Sequence, residues 1–278
     1  IEFYFNNNKV SEMINVGVYT IKVIGKNNYS RETSTTFEIT KYDISNTTAN
    51  EYTNTYSYNK LTQTPTITLN YGELVLENEK DFTTAYFKEG VGSGDNVTLT
   101  QVTNPTDAGT YQIVLTGINN YKGEFKNLSF TITTISLDDC VVTYSNALNL
   151  DDLTFDNSAK KAEIISIKIG DVEVLDVSTD SIKRQYVTIT FLRNENTTNN
   201  FINVGDITIS VTPATQNLTG SYSRTYTIKQ KNLEEAKTNG SLKITGIEDR
   251  TYTRQKQVFN ITIVDESANN YTLINAKD

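Results

Sequence analysis

Asp107-Ala-Gly-Thr-Tyr-Gln-Ile-Val-Leu-Thr-Gly-Ile-Asn-Asn-Tyr-Lys-Gly123 decides the fold of this 278-residue chain. Tyr111, Ile113 and Leu115 alternate with Gln112, Val114 and Thr116, the period of a strand with one face in a core. Gly117, the Asn119-Asn120 pair and Gly123 tolerate positive φ, so a hairpin follows, and Phe130-Thr-Ile132 resumes the alternation as its partner strand.

The same unit occurs twice more. Upstream, Asn15-Val-Gly-Val-Tyr-Thr-Ile-Lys-Val-Ile-Gly25 runs through Asn27-Asn28-Tyr29 to Phe37-Glu-Ile39. Downstream, Asn203-Val-Gly-Asp-Ile-Thr-Ile-Ser-Val211 keeps the glycine and the alternation, puts Ile207 where the tyrosine stood, and closes on Tyr226-Thr-Ile228. Gly17, Gly109 and Gly205 are 92 and 96 residues apart, a period of whole domains rather than of solenoid repeats. Thr, Asn, Ile, Val, Tyr and Ser dominate, an all-β vocabulary, and the nearest approach to a helix is Asn232-Leu-Glu-Glu-Ala-Lys237 before Asn239-Gly240.

The predicted fold class is all-β, tandem sandwich domains in an elongated array. The expected divisions are 1–40, the C-terminal half of a domain; 41–134 and 135–230, two complete domains; and 231–278, the N-terminal half of another. Thr64–Leu69 and Phe82–Tyr86 are expected as early strands of the first complete domain. Ala162–Ile169, Val172–Leu175 and Tyr186–Phe191 serve the second, and Leu242–Ile244, Val258–Ile263 and Asn270–Ile274 the last segment. Gly90-Val-Gly-Ser-Gly94 reads as a hairpin loop. Each terminal segment buries too little surface to fold alone. The expectation is that 231–278 of one chain is completed by 1–40 of the next, either covalently in a longer array or by complementation between subunits.

Asp107-x-Gly-x-Tyr-x-Ile resembles the tyrosine corner of immunoglobulin-like sandwiches, in which the ring packs and the hydroxyl returns to the backbone. The larger pattern is an Asp/Leu opening, Gly-Thr-Tyr-x-Ile and Gly-x-Asn-Tyr-x-Gly. It resembles the tandem immunoglobulin-like repeats of large bacterial surface proteins and adhesins, the MBG/YDG-like class, over nearly the whole chain. The corner residues are then Gly17, Tyr19, Gly109, Tyr111 and Gly205, with the third corner departing at Ile207. That resemblance implies an extracellular, cell-surface stalk or filament segment that assembles head to tail with copies of itself or adjacent repeats. The alternative is an adhesin module gripping a host glycan or protein through loops or tyrosines. Seventeen Tyr and no Trp lean toward the structural role, since sugar platforms commonly use Trp.

Residue types argue against an enzyme, which stays a distant third reading. The chain has no histidine, which removes Ser-His and Cys-His nucleophiles, and it carries no P-loop, dinucleotide fingerprint or zinc spacing. No catalytic or cofactor-binding residue is assigned. A net charge of −8 with pI near 4.8 argues against nucleic acid and anionic membrane as partners, and no apolar run is long enough to span a bilayer. Cys140 is alone and reads as a small apolar residue. The acid pairs Asp138-Asp139 and Glu234-Glu235 recur at equivalent junctions and are the metal candidates, for Ca2+. A hard ion asks for six or more oxygens, and solvation of junction acids is the simpler reading.

Overall fold

The computed structural model describes residues 1–90, 97–176 and 186–273. The chain is all-β, about half of it strand and 6% helix. It divides into two compact units, Ile1–Thr134 and Ile135–Asp278.

In the first unit the Gly109–Gly117 strand lies between two antiparallel neighbours, Phe82–Glu89 and Glu124–Thr133. Leu99–Val102 closes one edge of that sheet, and Thr55–Ser57 adds to the other edge in parallel, Tyr56 opposite Ile132. A three-stranded sheet, Thr48–Ala49, Leu69–Tyr71 and Leu74–Leu76, accompanies it. Tyr111, Ile113 and Leu115 are at most 1% exposed, and Leu69 and Leu76 are fully buried, so both sheets contribute to the core. Another sheet of this unit runs Asn8–Val10, Glu2–Phe5, Gly17–Ile24, Glu32–Ile39, the same order without the added parallel strand.

The second unit repeats the plan. Its five-stranded sheet runs Asn196–Thr197, Val187–Arg193, Gly205–Pro213, Tyr222–Lys229, Leu153–Thr154, with the last strand again parallel. Val141–Tyr144, Ile164–Ile169 and Val172–Asp176 form the accompanying sheet, and one cluster joins Ile167 and Leu175 from this sheet to Ile207, Ile209 and Ile228 from the other. A further three-stranded sheet comprises Leu242–Thr245, Thr262–Asp265 and Tyr271–Thr272. Before it, Leu233–Thr238 is helical. Asn232 caps it by accepting from the amides of Glu234 and Glu235, and Gly240 follows at φ +79.

Polar and aromatic contacts join segments within each unit. The Asn120 side chain reaches Asn15, accepting from the Val16 amide at 3.1 Å and donating to the Asn15 carbonyl group of the side chain at 3.2 Å. In the second unit the rings of Phe155 and Tyr271 meet edge-on at 5.2 Å, and the Asn269 side chain donates to the Asp156 carbonyl.

Several expected strands are shorter than their sequence patterns. Only Leu69 of Thr64–Leu69 is strand, because Pro65 has no N–H to give and the chain is irregular until the pairing with Thr48–Ala49 begins. Val258–Ile261 is likewise irregular, and the strand starts at Thr262. Apolar alternation creates a strand only where a neighbour supplies a continuous ladder; beside residues 64–68 the Asn50 amide and side chain reach Thr68 alone. The Gly90–Gly94 loop lies outside the described residues beyond Gly90, as does Ile274.

Candidate functional site

The feature that recurs in all three copies is a corner at the start of the central strand. Gly17, Gly109 and Gly205 have φ of +142, +147 and +115, a region that side chains rarely occupy. A neighbouring side chain also covers each glycine, a ring at Gly17 and the movable ends of a lysine and an arginine at the other two. A Cβ on Gly17 would stand 2.5 Å from the Phe5 ring, on Gly109 2.9 Å from Cε of Lys88, and on Gly205 2.9 Å from Nη1 of Arg193. Phe5 pairs with Tyr19 and Lys88 with Tyr111, while Arg193 lies one residue beyond the Leu192–Thr208 pair, so all three covering residues occupy one register position on the neighbouring strand.

Two residues after each glycine the copies diverge. The Tyr19 hydroxyl donates to the Asn15 carbonyl at 2.8 Å and the Tyr111 hydroxyl to the Asp107 carbonyl at 2.7 Å, each four residues back. Each ring lies in an aromatic stack, Tyr19 between Phe5 and Phe37 and Tyr111 against Phe130 at 5.0 Å. Burial pushes the Tyr111 phenol up to about 12, with the Asp107 charge adding to the rise, so it stays a neutral donor at physiological pH. Ile207 has no hydroxyl, yet the matching carbonyl is not abandoned. The Arg193 guanidinium donates to the carbonyls of Asn203 at 3.0 Å, Val204 at 2.9 Å and Asn200 at 3.3 Å. The displaced phenol reappears on the next strand as Tyr226, opposite Ile207, where it donates to the Lys160 carbonyl at 2.9 Å. Sequence reading recorded the loss of the tyrosine and missed both replacements. Arg193 stands twelve residues before its glycine, as Phe5 does before Gly17, and that spacing was the available signal.

An alanine at the shared glycine position would meet a forbidden φ as well as the covering side chain. Gly109→Ala is expected to destabilise by about 1–3 kcal/mol, read as a lower urea midpoint, and an unchanged midpoint would show that the corner carries no backbone requirement.

The acid pairs are placed as local structure. Ser136 caps the Leu137–Asp139 turn, and the Asp138 carboxylate accepts from the Ser221 amide at 3.0 Å and the Ser136 hydroxyl at 2.9 Å, which together hold it below the usual carboxylate range. Glu234 and Glu235 lie in the first turn of the short helix. Among the described residues no three acids or cysteines gather within reach of one metal ion. Cys140 is half-buried against the core of its unit, and burial raises its thiol.

One groove lies in the second unit, lined by Lys161, Glu163, Ile164, Leu175, Val187 and Phe191. The Lys161 ammonium lies over the rings of Phe191 and Phe201, at 5.3 and 5.5 Å, and occupies the faces that would otherwise stack on a ligand. Among the described tyrosines, Tyr19, Tyr58, Tyr111 and Tyr226 are buried, whereas Tyr29 and Tyr252 are about four-fifths exposed.

Residues 231–273 hold an ion pair between a buried carboxylate and a part-exposed lysine. Asp265 is 3% exposed and meets the Lys231 ammonium at 2.6 Å, while its other contacts cap the turn that follows through the Ser267 amide and hydroxyl. Burial alone would raise this carboxyl, but the hydrogen bonds from Lys231 and Ser267 outweigh it and the net shift is downward. A carboxylate depressed in the folded state contributes stability that is complete above its unfolded pKa, roughly 3.9, and is lost as pH falls through the folded value. Acid is therefore expected to release this segment below about pH 4, followed by hydrogen exchange across Leu242–Leu273. Asp265→Asn should flatten that dependence while lowering protection at neutral pH, and an unaltered acid profile would assign it elsewhere.

No protein-family model matches the chain, and no curated protein matches it. Among the described residues no helix is long and apolar enough to cross a membrane.

Proposed function

We propose that this chain is a structural surface protein, a stalk or filament segment of tandem immunoglobulin-like β-sandwiches that assemble end to end outside the cell. The observation that supports this most directly is the triple recurrence of one strand order around one glycine corner. The chemistry that recurs at these corners closes backbone carbonyls. Side-chain bridges such as Asn120 to Asn15 and Phe155 to Tyr271 suit this role, because they stiffen the passage from one segment to the next. Small-angle scattering of the isolated chain tests the reading. A compact body of this length has a radius of gyration of about 19 Å, and an array of sandwiches is expected to exceed it by half or more. A value at the compact limit would overturn the stalk.

A further inference from the structure

One sheet of the first unit has an apolar face that nothing covers among the described residues. In the Gly17–Ile24 strand, Tyr19, Ile21 and Val23 occupy the places of Tyr111, Ile113 and Leu115, and of Ile207, Ile209 and Val211. Those six are at most 1% exposed, whereas Val23 is 41% exposed and only Tyr19 of its set is buried. The outer edge of the Glu32–Ile39 strand is also unpaired within its sheet. At the two corresponding edges a short strand adds in parallel, Thr55–Ser57 on Thr131–Thr133 and Leu153–Thr154 on Ile228–Lys229.

Residues 231–273 hold what is missing. Leu242–Thr245, Thr262–Asp265 and Tyr271–Thr272 form the third of the three-stranded sheets, and Ile244 is 45% and Ile261 51% exposed on or beside it. Between its first two strands, Thr251-Tyr-Thr253 repeats the Thr-Tyr-Ser/Thr pattern of Thr55-Tyr-Ser57. This copy joins no strand, and Tyr252 is 84% exposed.

Charge permits the match. Residues 1–40 carry four basic and four acidic side chains and 231–278 seven of each, so the whole net charge of −8 lies between them and the two segments do not repel. Locally, Arg254 and Lys256 follow the stretch, and Glu38 lies near the end of the open strand.

We propose that the open face and edge of the Glu2–Ile39 sheet are covered by residues 231–273 of a second copy of this chain, an inference that rests on the tandem-sandwich reading above. Thr251–Thr253 of the second copy adds in parallel to the end of the Glu32–Ile39 strand. Superposing Ile39 on Ile132 sets the register: Thr251 stands opposite Glu38 and Tyr252 beside Ile39. The Tyr252 ring then meets Phe37 edge-on, as Tyr56 meets Phe130 at 5.9 Å. An uncovered edge and aromatic face invite such pairing, and the added strand closes both.

The test uses the full chain with Cys140→Ser, carrying Glu38→Cys and Thr251→Cys together. Under mild oxidation a reducible ladder of dimers, trimers and higher species on a non-reducing gel is expected, with neither single variant going beyond a dimer. Tyr252→Ala, at a side chain so exposed that the fold does not depend on it, should raise the concentration of half-assembly in sedimentation by about tenfold. A double variant that stays monomeric overturns the proposal, whether its cysteines remain reduced or join within one chain. An extended monomer in scattering would then leave the stalk standing and remove only this interface.

Discussion

Tyr111→Ala is expected to cost about 3–5 kcal/mol, the largest effect of any corner substitution. The ring is 1% exposed, stacks on Phe130 and is crossed by the Lys88 ammonium at 5.8 Å. Its removal leaves a cavity beside Phe130, in a strand flanked on both sides that cannot readily collapse into it. Tyr111→Phe keeps the ring and forfeits only the bond to the Asp107 carbonyl, worth about 1 kcal/mol because water can reach that partly exposed corner. Urea denaturation of both variants, with hydrogen exchange to confine the loss to 41–133, separates the contributions. A Phe variant as unstable as the Ala variant would mean that the hydroxyl, and not the packing, holds the corner.

Arg193→Ala is expected to cost about 2–3 kcal/mol, and Arg193→Lys to recover little of it. The guanidinium serves three carbonyls of the loop before Gly205 from one planar fork, and a lysine ammonium is a single point that cannot span them. One of its nitrogens, Nε, is buried with no hydrogen-bond partner, so the side chain is retained for the bonds its two terminal nitrogens make. Hydrogen exchange at 198–205 should rise in both variants while the neighbouring Tyr222–Lys229 strand stays protected. Full protection in the Lys variant would show that charge alone suffices. The comparison with Tyr111 is instructive, since two unlike side chains close the same carbonyl four residues before the same strand position.

The all-β class, the three corner glycines and the central strands were legible in the chain itself. Each rests on a local rule: alternation for a half-buried strand, and glycine for a backbone that other residues avoid. Gly17, Gly109 and Gly205 stand out by spacing, and the positive φ at each is one that a side chain adopts only with strain. The limits of pattern show at residues 64–68 and 258–261, where alternation is present and strands are not, since pairing needs a partner that lies far away in sequence. Thr55–Ser57 and Leu153–Thr154 show the reverse, strands of two or three residues made entirely by the edge they join.

The third corner divides the two kinds of information most clearly. Its sequence shows a tyrosine replaced by Ile207, and a local rule can only record that as a loss. Only the fold brings Arg193 over Asn203, and Tyr226 over Lys160 from 66 residues away. A backbone carbonyl gains from a donor but does not specify which strand supplies it, so tertiary structure decides the donor while the sequence marks the corner.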